Sequence, residues 1–216
     1  MASESTGTAG ALYAAFAQLS PTTLADVLTR DRVMDIRIRP LWAGMPRVAG
    51  PAYPVRCPPG DNLMVHAAIY RAAPGAVLVV EAGDTDFAVA GGNVCRVAQL
   101  RGIAAFVVDG VIRDLAETRA HGFPVFARGV IPIPGARAAV GVLNGPIRCG
   151  GVDVRPGDVV VADEEGIVVV PAEGAEAVLK AAGARAAKEA AESLEAWEAA
   201  HRARIEAILR QKGIGG

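Results

Sequence analysis

The sequence predicts a mixed α/β fold of packed layers, with helices added at both ends. Three observations point there. Candidate helices and strands alternate as far as about Ala120, after which strand candidates crowd together up to Val170. Short β-branched runs such as Phe106-Val107-Val108 are bounded by Gly or Pro, the pattern of strands covered on both faces. From Glu173 the composition shifts to Ala, Glu, Lys and Arg, which reads as helix. A doubly wound Rossmann sheet fits less well, because Gly91-Gly92 lacks the third glycine of the dinucleotide fingerprint.

The elements follow in order. Ala11–Leu19 and Pro21–Thr29 read as helices, with Ser20 and Thr22 as caps around Pro21, a residue suited to a first helical turn. Arg47–Cys57 is extended, and Gly50, Pro51 and Pro54 mark it as an edge or irregular strand. Asp61 caps a helix from Asn62 to about Ala72. Ala76–Glu81 is a strand, Val94–Arg101 a helix closed by Gly102, and Phe106–Val108 a buried strand ending in a turn at Gly110. Leu115–His121 reads as a further helix. Strand candidates then follow at Phe123–Phe126, Arg137–Leu143, Ile147–Cys149, Val159–Ala162 and Gly166–Val170, set apart by turns at Gly150-Gly151, Pro156-Gly157 and Glu165-Gly166. Pro74–Val80 and Pro156–Ala162 resemble each other, a hint that two strands begin alike within one sheet system. Ala175–Leu209 should form one or two helices, with Gly183 the expected break. The chain thus divides into a disordered leader (1–10), a folded domain (11–172) and a C-terminal helical extension (173–216).

Composition narrows the function classes. The chain has 216 residues, 52% of them hydrophobic but only 5% aromatic, so the core is built from small side chains. The net charge is -1 with no basic cluster, which disfavours nucleic-acid binding. No apolar run is long enough to span a bilayer, and no secretory signal is evident; a cytoplasmic protein is expected. Cys57, Cys95 and Cys149 are odd in number and widely spaced, as expected of reduced, buried thiols rather than disulfides or a zinc site.

Chemistry concentrates in three segments: Gly60 to His66, Gly91-Gly92-Asn93-Val94-Cys95, and Asp109 to Asp114. Arg113 offers a planar fork of donors for a carboxylate or carbonyl oxygen. Asp114 offers a hard oxygen for a divalent cation, although it could equally serve as the first residue of the helix that follows. Gly91-Gly92 leads into a helix whose free N–H groups suit an anion. His66 on its half-apolar helix reads first as a packing residue, and His121 and His201 as surface residues. Cys95 gains a little thiolate character from the helix start but has no base beside it. Asp109 reads as a turn stabiliser that could also support a metal site.

In order and spacing, Gly60-Asp61-Asn62, Pro74-Gly75, Gly91-Gly92, Arg101-Gly102, Asp109-Gly110-x-x-Arg113-Asp114, Phe123-Pro124-Val125, Pro156-Gly157-Asp158 and Ala162-Asp163-x-x-Gly166 to Pro171 resemble the RraA-like family. That family includes 4-hydroxy-4-methyl-2-oxoglutarate/4-carboxy-4-hydroxy-2-oxoadipate aldolases and the regulator of ribonuclease E activity, and the likeness runs from about Ser20 to Pro171. The resemblance implies a three-layer α/β/β sandwich of swivelling-domain type, assembled as a homotrimer or hexamer. It implies a lyase that cleaves a small 2-oxo acid to pyruvate, by retro-aldol cleavage or by decarboxylation of oxaloacetate, with Mg²⁺ or Mn²⁺ as cofactor. Arg113 and Asp114 would be catalytic and Asp114 would hold the metal. The N–H groups of Gly92, Asn93, Val94 and Cys95, together with Arg113, would bind the substrate. A glutamate between Glu189 and Glu198 would be placed to reach a neighbouring subunit. The alternatives within the resemblance are a non-catalytic regulator that binds ribonuclease E, or a related lyase or hydrolase on another carboxylated metabolite. One position departs from the aldolase pattern: Gly92, 21 residues before Arg113, stands where an Asp or Glu is usual. Asn93 cannot serve as a base there, whereas Glu81, Asp84 and Asp86 are nearby acids that could compensate.

Overall fold

A computed structural model describes residues 10–214. The leader predicted for residues 1–10 lies outside them except for residue 10, which is already helical. Helix α1 covers residues 10–16 and α2 is Pro21–Ala25, capped by the Ser20 hydroxyl, which accepts from the Thr23 N–H. The strands are β1 (Arg39–Pro40), β2 (Val48–Arg56), β3 (Val77–Glu81), β4 (Ala105–Ile112), β5 (Val125–Val130), β6 (Val142–Leu143), β7 (Ile147–Cys149), β8 (Val152–Val154), β9 (Val159–Asp163) and β10 (Gly166–Val170). Between and after them lie α3 (Leu63–Ala68), α4 (Gly92–Leu100), α5 (Leu115–Ala120), α6 (Ala175–Ala191) and α7 (Leu194–Gln211).

One sheet organises the domain, in the order β1-β5-β4-β3-β2-β9-β10, with β6 also on β2. Strands β2 to β5 run parallel, while β9 and β10 are antiparallel additions. The far edge folds back: Val33 bridges Val168, only a few residues before β1 begins on the other edge. The sheet is therefore nearly closed.

Alternation along the strands sorts the core into three layers. Leu78, Val80, Phe106 and Val108 face α3 and α4, where Val65, Ala68, Cys95 and Ala98 cover them. Val77, Val79, Ala105 and Val107 face the opposite way, onto the β7–β8 hairpin and the inner residues Val160, Ala162, Ile167 and Val169 of β9 and β10. The outer residues Val159, Val161, Val168 and Val170 then pack under Phe16, Leu24, Ala175 and Ala182. This is an α/β/β sandwich with terminal helices: α1, α2 and α6 shield the second β layer, whereas α7 buries no residue.

Several expectations are corrected. The Arg47–Cys57 segment is central, not an edge. Strand β2 changes partner along its length, pairing β9 from Val48 to Pro51 and β3 from Ala52 to Arg56. At Pro54 the carbonyl accepts from the Asn144 N–H at 2.9 Å, so the proline nitrogen faces the sparsely paired β6 side and no bond to β3 is lost. Gly110 is not a turn; β4 runs through it with a register shift between Val108 and Val111. A side chain there would strike the Ala82 methyl and come within 3.2 Å of the Asp84 carbonyl, so close approach, not chain reversal, demands the glycine. Gly183 stays inside α6, and the break falls at Ser193, whose hydroxyl accepts from the Ala196 N–H and starts α7. Of Arg137–Leu143 only the last two residues pair as strand. The two similar Pro-Gly segments enter β3 and β9, the strands that flank β2 on either side.

Candidate functional site

Strand β4 ends at Ile112 and the chain reverses at once. Arg113 donates its N–H to the Ala90 carbonyl at 2.9 Å, which fastens the strand end to the segment leading into α4. Asp114 then adopts a left-handed backbone, φ 56° and ψ 43°, unusual for any residue but glycine. It precedes α5 without capping it: its carboxylate makes no bond to its own helix. Instead Oδ2 accepts the Gly92 N–H of α4 at 3.1 Å and lies 3.4 Å from Arg113 Nε. Helix-start duty alone would not point the side chain away from its own helix. Gly91 has no side chain because a Cβ there would meet the Asp114 carboxylate and the Arg113 stem.

The start of α4 is thus partly occupied. Gly92 gives its N–H to Asp114, and Cys95 gives its own to the Gly91 carbonyl at 3.0 Å. The N–H groups of Asn93 and Val94 have no hydrogen-bond partner among the described residues. Four candidate amides reduce to two that are free. The Cys95 side chain is fully buried on the other side of the helix, and burial pushes its thiol up to about 12, which removes it as a nucleophile.

A cavity of about 160 Å³ opens in front of this helix start, lined among others by Asn62, His66, Asn93, Arg113, Asp114 and Arg137. Asn62 is 3% exposed. Its Nδ2 donates to the Gly135 carbonyl at 3.2 Å, while its Oδ1 has no partner among the described residues. A buried acceptor left unmet costs on the order of 1–3 kcal/mol, and its place in the lining marks a position for a ligand's donor or a cation. His66, one helical turn beyond Asn62, receives Arg137 Nε at 3.4 Å. Partial burial, then the Arg137 charge, hold its imidazole below the usual histidine range, so it enters the cavity as a neutral ring. Asp61 assembles this wall. Burial works to raise its carboxyl, but the Ala138, Leu63 and Ala139 N–H groups outweigh burial and keep it low. The loop bearing Arg137 is thereby fixed onto α3.

The structure therefore brings together two separate segments of the sequence, residues 92–94 and Arg113-Asp114, and adds His66, read first as a packing residue, and Arg137, which motif reading passes over. His66 had a visible signal, since it shares a helix face with Asn62. Arg137 had none, because only long-range bonds bring it close, from Asp61 to the Ala138 and Ala139 N–H groups and between residues 60–62 and 135–136. Asp109 goes elsewhere. It accepts the Gly150 N–H at 2.7 Å and pairs with Arg128, on the hairpin face of the sheet, so it does not support a metal at Asp114. Glu81 and Asp84 line that other cleft too.

For a cation the donor set is sparse. No group of three or more His, Cys, Asp or Glu side chains among the described residues is disposed to hold a metal. One carboxylate, Asp114, with an orphan amide oxygen lining the same cavity fits a largely hydrated, hard cation of the Mg²⁺ kind and not a zinc site.

The chain matches the model of the RraA-like family, described as Aldolase/RraA, over residues 21–169. It is 42% identical over 153 residues to a protein of Halalkalibacterium halodurans named "Putative 4-hydroxy-4-methyl-2-oxoglutarate aldolase", covering 70% of this chain and 72% of that one. Among solved structures it is similar to Streptomyces coelicolor RraAS2, described as an unusual member of the RNase ES inhibitor RraA family, with a TM-score of 0.72 and 30% identity over 90% of this chain and 98% of that one. It is also similar to the RNA-processing inhibitor RraA of Thermus thermophilis, with a TM-score of 0.65 and 29% identity over 70% and 92% of the two chains.

Proposed function

This chain belongs to the RraA-like family, and from that premise we propose that it is a divalent-metal-dependent lyase that cleaves a small 2-oxo acid to pyruvate. The candidate reactions are retro-aldol cleavage of 4-hydroxy-4-methyl-2-oxoglutarate and decarboxylation of oxaloacetate. The observation that carries the reading is the Arg113-Asp114 pair facing the free Asn93 and Val94 N–H groups across one small cavity. Relatives named as aldolases agree with it.

Both reactions leave a pyruvate enolate, so the site must stabilise charge on an oxygen next to a carboxylate. In this reading the α4 amides of Asn93 and Val94 hold the pyruvyl carboxylate, with the helix dipole favouring the anion. The Arg113 guanidinium, tethered to Asp114 only through Nε, presents its outer N–H groups to the 2-oxo oxygen. A hard divalent cation held by Asp114, in the Mg²⁺ or Mn²⁺ class, would act as a Lewis acid on that oxygen when bound. Arg137, with neutral His66 beneath it, offers a second cation for the distal carboxylate of a dicarboxylic substrate. Assembly as a homotrimer or hexamer belongs to the same reading.

The test is pyruvate release from each substrate with Mg²⁺ present and after EDTA treatment. Turnover that requires the metal is the expected result; no turnover on either substrate would sink the proposal. The alternative, a ribonuclease E-binding regulator, draws on the RraA structures. A catalytically silent protein that forms a stoichiometric complex with ribonuclease E would favour it.

A further inference from the structure

We propose that Glu117 is the general base of this site, an assignment that rests on the lyase reading above. Retro-aldol cleavage needs a group to take the proton of the hydroxyl on the carbon being released. None of the residues lining the cavity is well placed to do so. Asp114 is engaged by the Gly92 N–H and Arg113, His66 Nε2 receives Arg137, and Asn93 is an amide. Asn62 Oδ1, buried and without a partner among the described residues, is an acceptor open to a polar ligand, yet an amide oxygen does not accept a proton at neutral pH.

Glu117 lies in the first turn of α5, three residues after the left-handed Asp114. Its carboxylate packs on Gly92. A Cβ built at Gly92 would collide with Glu117 Oε2 and sit 3.0 Å from its Cβ and 3.2 Å from its Cδ. Gly92 does not have a positive φ, so no backbone need explains a glycine at the first position of a helix, where it costs about 0.5–1 kcal/mol relative to alanine. Space for the glutamate does explain it. The Glu117 carboxylate has no hydrogen bond or ion pair among the described residues, although Arg119 and Arg113 are close in sequence. The result is a solvent-exposed carboxylate at the edge of the α4 start, beside the very N–H that Asp114 caps, filling the place where a side chain at position 92 would otherwise project. Glu81, Asp84 and Asp86 are thereby unnecessary as substitutes.

The step balances without a further reactant. Glu117 takes the hydroxyl proton as the carbon–carbon bond breaks; the electron pair of that bond becomes the pyruvate enolate, and the released carbon becomes a carbonyl. The same proton, returned to the enolate carbon, gives pyruvate. Decarboxylation of oxaloacetate breaks its bond without removing a proton, so it does not need this base.

That difference supplies the experiment. Both activities are measured in wild type, Glu117→Gln, Glu117→Ala, and a Glu117→Ala/Gly92→Asp double variant that moves the carboxylate into the vacated space. In Glu117→Gln the ratio of retro-aldol to decarboxylation kcat is expected to fall by about 10²-fold or more, the usual share of a general base. The double variant is expected to recover part of the ratio lost in Glu117→Ala. A ratio unchanged by Glu117→Gln overturns the assignment while leaving the lyase reading intact. If that variant does not fold, absence of recovery in the double variant relative to Glu117→Ala overturns it. Wild type inert on both substrates overturns the lyase reading and the assignment with it.

Discussion

Two clefts open near the C-terminal ends of the parallel strands, on opposite faces of the sheet, and they differ in what their charges are doing. The hairpin-side cleft is the larger, about 400 Å³, and the richer in charge, with Glu81, Asp84, Asp109, Arg128 and Arg148 in its lining. Nearly every group there is already engaged. Glu81 accepts Arg56 Nε and the Arg148 N–H; Asp84 accepts the N–H groups of Gly60, Asp86 and Phe87; Arg128 spans Asp109 and Asp35. The helix-side cavity is smaller and has fewer charges, but it keeps a buried acceptor and two helix N–H groups unmet. Charge density marks the joint that fastens the β7–β8 hairpin, whereas unmet bonding capacity marks the site.

Paired substitutions sharpen that contrast. The largest effect is expected from Arg113→Ala, which should lower kcat by about 10²–10³-fold, the scale for losing one oxyanion donor, with an unchanged melting curve. Arg128→Ala should do the reverse. It leaves Asp109, about one-fifth exposed, with the Gly150 N–H alone, while Asp35 keeps Arg37, and after allowance for that exposure should cost about 1–2 kcal/mol, or roughly 2–8 °C in Tm. Steady-state kinetics beside thermal melts decide it, and a catalytic loss from Arg128→Ala at a temperature where it is folded would erase the distinction. Next, Asn62→Leu should raise KM about tenfold by removing one ligand hydrogen bond. Its melting temperature should shift little, because the orphan Oδ1 disappears along with the bond to Gly135.

The smallest effect is a titration. Burial and Arg137 depress the His66 pKa, so the unfolded chain binds a proton near pH 6.5 before the native state does. That contribution to stability is complete above about pH 6.5 and is lost as the pH falls below it. Arg137→Ala should move the His66 titration upward, read by NMR of the imidazole, and should lessen the acid loss. A downward move would show that Arg137 does not act on the ring through its charge.

How much of this was legible in the sequence depended on range. Short apolar runs, helix caps and Pro-Gly turns are local, and they placed most strands and located α4, although they set its start at Val94 and it lies at Gly92. The Arg113-Asp114 and Gly91-Gly92 segments could be paired by their family likeness. What failed was long-range or steric. Pro51 and Pro54 argued for an edge, and only the change of partners along β2 makes them harmless in a central strand. Gly110 looked like a turn because the approach of Ala82 is invisible in one dimension. Arg137 depends on Asp61, and Glu117 on a glycine in another helix; neither dependence leaves a pattern in neighbouring residues.

The left-handed backbone of Asp114 has a last consequence. Holding a non-glycine residue there costs on the order of 1 kcal/mol or more, and a glycine at 114 would release it. The same exchange would remove the acceptor of the Gly92 N–H and the partner of Arg113 Nε. Stabilising redesign of this scaffold that relieved the backbone at position 114 would therefore give up the contacts that tie the end of β4 to the start of α4, and should leave the position alone.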